Sequence, residues 1–89
     1  MIEIPFKAGS PPRAIVVRIH EPFPSAPGAG PPGKEWPWSI VVDVDGRPST
    51  TYGVDPLDAV ENASNHAAIV LHAVYGDDLD PPVEPRSRP

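Results

Sequence analysis

The chain has 89 residues, a formal net charge of −5, fifteen prolines and no cysteine. That length bounds it to one small domain with a thin core, and the missing cysteines exclude disulfide staples, thiolate nucleophiles and cysteine zinc sites together. No window approaches the roughly 18 apolar residues of a membrane span, and "MIEIPFK" lacks the basic region and long apolar run of a signal peptide, so a cytoplasmic protein is expected.

Charge is segregated along the chain. Residues 1–47 hold five Lys/Arg and five Asp/Glu, whereas residues 48–85 hold seven acids and no Lys or Arg. An acidic half repels phosphate backbones, which argues against nucleic acid. It fits either a solvated surface or contact with a basic protein partner.

"IEIPF" alternates, with Ile2, Ile4 and Phe6 on one side, and predicts a half-buried strand that Pro5 confines to an edge or an end. "GSPP" at 9–12 is a turn. "RAIVVRIH" predicts a strand with Ile15, Val17 and Ile19 facing inward and Val16, Arg18 and His20 facing out. Residues 21–37 then form a long Pro/Gly-rich loop, since proline removes donors and glycine costs backbone entropy. A mobile linker is the ordinary reading of such a stretch, and a binding loop or polyproline ligand is the alternative.

"WPWSIVVDV" resumes the alternation, with Trp36, Trp38, Ile40, Val42 and Val44 on one parity. Asp45-Gly46 supplies residues that tolerate positive φ in a tight reversal, and "TTYGV" returns as a short strand. A calcium loop would need further oxygen ligands where Arg47 and Pro48 stand.

Residues 56 to 75 read as a helix about 30 Å long. Asp55 is its N-cap, Pro56 its first residue, and Asp58 and Glu61 place negative charge near the positive end of the dipole. Gly76 is the left-handed terminator. Steps of 100° put Leu57, Val60, Ser64, Ala67, Ala68, Leu71, Val74 and Tyr75 on the core stripe. Asp58, Asn62, Asn65 and His72 fall opposite, with Ile69 among them. Ala63, Ser64, Ala67 and Ala68 are small enough for a close approach to the sheet, with room beneath for Trp38 and Tyr52.

Chemistry is sparse. His66 and His72 are six residues apart and cannot chelate one metal from a single helix face, and His20 belongs to another element. There is no G-x-S-x-G elbow, and in "GAGPPGK" the prolines remove amides that a phosphate cradle needs. No catalytic residue, cofactor or metal is therefore expected. On the outward sheet face Val16, Arg18, His20, Val41 and Asp43 would gather if their strands pair, with Arg18 opposite Asp43 as a cross-strand ion pair.

A tryptophan-led strand followed by "YGVDPLDAV" entering an amphipathic helix resembles a family of small bacterial domains of unknown function. Their pattern runs tryptophan, strand, Y-G-V-D-S-x-Q-A and helix. The resemblance covers roughly residues 36–75 and is carried by Tyr52, Gly53, Val54, Asp55 and Ala59; Pro56 replaces the pattern's serine and Asp58 its glutamine. It implies a compact sheet-and-helix fold of bacterial or phage origin, and it brings no activity.

The expected architecture is α+β: about four antiparallel strands with one long C-terminal α-helix packed on one face. Residues 1–76 would form the single domain, and residues 77–89 an acidic, then Pro-rich, mobile tail. The expected role is a non-enzymatic protein-contact module, accessory or immunity-like. Its candidate contact residues are Arg18, His20 and Asp43 on the sheet and Asp58, Glu61, Asn65, Ile69 and His72 on the helix. The partner is unknown, basic in character, or a second copy pairing through an edge strand. The alternative is a small-ligand-binding domain or minor enzyme using the open sheet face.

Overall fold

Alternating β-branched residues and one capped helix build an α+β structure, described for residues 1–85 in a computed structural model. In chain order the elements are β1 (Ile2–Ala8), β2 (Arg13–Ile19), β3 (Phe23–Pro24), β4 (Trp38–Val44), β5 (Arg47–Gly53), α1 (Pro56–Tyr75) and β6 (Leu79–Asp80). A 3-10 turn, Gly76–Asp78, joins α1 to β6. All strand pairs are antiparallel, in the order β3-β4-β2-β1-β6 with β5 on the other side of β4. Six strands stand where about four were expected, because the two-residue β3 and β6 carry no alternation that a sequence pattern can show.

β3 is the continuation of β2 past a kink. His20 N–H donates to Val41 O, and Phe23 faces Ser39, so Glu21 and Pro22 together oppose Ile40. Two residues against one is a β-bulge, and Pro22 sits where a ladder donor is not needed. The Pro/Gly-rich segment is consequently the closed end of a long hairpin. Ser25 N–H donates to Pro37 O (2.9 Å), and the Ser25 and Ser39 hydroxyls bond to each other. Ala26 to Ala29 close a turn with Pro27 and a positive-φ Gly28 at its centre. Trp36 anchors the rest: its indole N–H donates to Pro31 O (3.1 Å) and Lys34 Nζ lies 4.8 Å above its ring. Gly30 packs against that indole, where a Cβ would come within 2.6 Å of Trp36 Cδ1. The expected mobile linker is thus a loop held by its own hydrogen bonds.

Hydrogen-bond direction decides the character of both sheet edges. His20 N bonds Val41 O, and Asp45 N bonds Val16 O, so the odd-numbered residues of β4 point their backbone groups at β2 and the even ones at β5. On β5, Pro48, Thr50 and Tyr52 therefore face outward. The same count carried through β2 leaves Glu3, Pro5 and Lys7 facing outward from β1. Each free edge thus has a proline in an outward slot, where a neighbouring chain would need a donor.

The N-cap forms as expected, whereas Gly76 ends the helix with positive φ but ψ −127°, outside the left-handed helical region. Asp55 is the N-cap (φ −147°), Pro56 follows it, and Gly76 (φ 54°) donates its N–H to His72 O. The buried stripe differs from the expectation. Ala59, Ala63, Ala67 and Leu71 are buried, whereas Leu57 is 82% exposed and Val74 and Ser64 also face solvent. These buried residues are one i, i+4 row, which is inclined to the helix axis and rotated about 65° from the predicted stripe at 100° per residue. A twisted sheet meets an inclined row better than an axial one. Tyr52 pairs with Ser39 and so lies on the sheet's open face, not under the helix.

Beneath α1 sit Ile40, Val42 and Val44 of β4 and Ile15, Val17 and Ile19 of β2, all 4% exposed or less. The core continues past residue 76. Leu79 is buried, β6 pairs with Lys7 and Ala8, and Val83 packs on the same cluster. Packed structure therefore extends beyond residue 76, as far as Val83. The expected mobility of the last four residues, 86–89, lies outside the described residues.

Two substitutions test this packing. A Cβ on Gly53 would lie 2.7 Å from Ala59 Cα, so Gly53→Ala is expected to lower stability by roughly 3 kcal/mol in urea unfolding through overpacking of backbone on backbone. Thr51 lies opposite Ile40, and its Oγ1 is buried without a hydrogen-bond partner. Thr51→Val removes that hydroxyl at nearly constant volume and is expected to raise stability by roughly 1 kcal/mol in the same assay.

Candidate functional site

The polar residues of "YGVDPLDAVEN" converge on the corner between β5 and α1. Asp55 Oδ1 accepts from Asp58 N (2.7 Å), and Asp58 Oδ2 accepts from Val54 N (2.9 Å) and from Asn62 Nδ2 (3.4 Å). Asn62 Nδ2 also donates to Tyr52 O at 2.7 Å. The arrangement is a capping box shifted one residue outward. It satisfies orphan amides of the helix start and also caps two backbone groups, Tyr52 C=O and Val54 N–H, at the end of the β5 edge. Asp58, expected on a solvated contact face, is an internal part of this corner.

On the open face the register is as expected, with Arg18 opposite Asp43. The predicted ion pair does not form there. Arg18 also faces Glu3 on β1, and its Nε lies 3.4 Å from Glu3 Oε1. Asp43 Oδ1 instead accepts from Gly46 N (2.8 Å), a shorter bond to a neutral amide that fixes the β4–β5 reversal. His20 is half-buried on the same face. Arg18, His20 and Asp43 therefore share a face without converging on one point.

Of the helix candidates, Glu61, Ile69 and His72 are exposed, and Asn65 is half-buried. Asn62 and Asp58 bond to β5, which places their flank of the helix, with Asn65 and Ile69, over the β5 edge. The opposite flank carries Leu57, Val60, Ser64 and Ala68 and is turned to the β2 side of β4. Among the described residues no three His, Asp or Glu side chains are placed to hold a metal ion.

The densest polar cluster was not foreseen. Arg13 NH1 and NH2 grip Asp45 Oδ1 and Oδ2 at 3.1 and 2.8 Å, and Tyr75 Oη donates to Asp45 Oδ2 at 2.8 Å. This clamp joins the start of β2, the tip of the β4–β5 hairpin and the last residue of α1. The two-residue reversal has positive φ at both Asp45 (52°) and Gly46 (82°), which turns the Asp45 carboxylate toward Arg13. Bonds from Arg13 and Tyr75 hold the Asp45 carboxyl at about 2, below its ordinary 3.8. Desolvation and then the Asp45 bond push the Tyr75 phenol up. Arg13 and Tyr75 are 62 residues apart, so no local pattern announces the pair.

A hollow of about 590 Å³ lies within the loop 25–37, with Trp36, Lys34 and Glu35 among its lining. No helix is long and apolar enough to cross a membrane. Comparison with family models, curated proteins and solved structures gives no match.

The clamp predicts a pH dependence. A carboxyl whose folded pKa lies below its unfolded value adds stability above the unfolded value and loses it as pH falls through the folded one. Urea unfolding of the chain and of Asp45→Asn should therefore differ most above pH 3.8, and the difference should shrink towards pH 2. A gap that stays constant across that window would remove the clamp's electrostatic role.

Proposed function

We propose that the chain is a non-enzymatic protein-contact module of the cytoplasm, one of the small bacterial or phage domains that its strand-to-helix corner resembles. The polar residues of that corner and of the clamp are taken up in holding the fold together. What the molecule offers outward is apolar surface in an acidic setting. Leu57 is 82% exposed on α1, with Val54 at 44% beside it and Asp55 and Glu61 nearby. That exposure is the observation that carries the reading, because a large apolar side chain so open to water loses the burial that contact would supply, about 25 cal/mol per Å².

An accessory or immunity-like role fits such a surface, with a basic partner complementary to the region 48–85. The blunted edges favour contact through a face rather than strand addition.

The test is size-exclusion chromatography with light scattering, alone and with proteins retained from a bacterial extract. The expected outcome is a retained protein of basic character that Leu57→Asp releases. A monomer that retains no protein but is stabilised by a metabolite in a thermal-shift screen would overturn the reading in favour of ligand binding on the open face.

A further inference from the structure

We draw no further inference here: the strongest candidate, the hollow of about 590 Å³ within the loop 25–37, is lined by a Trp36 already engaged by Gly30, Lys34 and Pro31 of the same loop, and nothing in the structure shows what fills it.

Discussion

The contact of Gly53 with Ala59 sets the geometry of the whole molecule. Here strand backbone meets helix backbone with no side chain between them, which is why a Cβ at residue 53 has no room. From this pivot the row Ala59, Ala63, Ala67 runs along the sheet with one methyl per turn as spacer. A helix set so low brings Asn62 within 2.7 Å of Tyr52 O and Asp58 within 2.9 Å of Val54 N. The close approach therefore decides what the corner's polar groups do. In a higher-lying helix the same residues would face water.

The far end of the helix needs a different device, because the row changes from alanine to Leu71 and Tyr75 and the packing distance grows. Tyr75 reaches past the last strand residue to the carboxylate of Asp45, and Arg13 closes the arrangement from β2. Arg13 is 60% exposed and Asp45 30% in their side chains, so the ion pair by itself is worth little. Its effect is positional. A two-pronged guanidinium fixes the hairpin tip against the helix end, and the phenol shares the same oxygen. The molecule is thus pinned at one end by backbone contact and at the other by a hydrogen-bonded clamp.

Strands with alternating β-branched residues, the Asp-Gly reversal and the Asp55-Pro56 helix start were legible in the sequence because each is a local signal with a local cause. The helix stripe was legible only in outline. Counting 100° per residue finds an axial face, and with small and large apolar residues spread over Leu57, Val60, Ala63 and Ala67 that face is not unique. The twist of the sheet chooses among them, and twist is not local. The same limit hid the clamp, whose members lie at residues 13, 45 and 75, and it misassigned Arg18. Register put Asp43 opposite it, but each strand residue has two lateral neighbours, and the hairpin amide of Gly46 competed for Asp43. For the site, residue type was legible and orientation was not. Asp58 and Glu61 are both acids in the first turns of one helix, yet one is internal and the other exposed.

Edge chemistry and charge together narrow how such a fold meets another protein. Pro5 and Pro48 each occupy an outward slot, Asn62 takes the carbonyl of Tyr52, and β6 takes the outward groups of Lys7. Few free donors and acceptors remain in a row, so adding a strand would bury unsatisfied groups at about 1–3 kcal/mol each. Faces carry no such penalty. Of the two faces, the open one is crossed by the Arg18–Glu3 pair and half-buried valines, so its charges largely answer one another. The helix side leaves Ile2, Ile4 and Leu57 exposed. Apolar surface left open to water gains burial from contact without leaving a backbone group unpaired, so contact through a face follows from the same edges that refuse a strand.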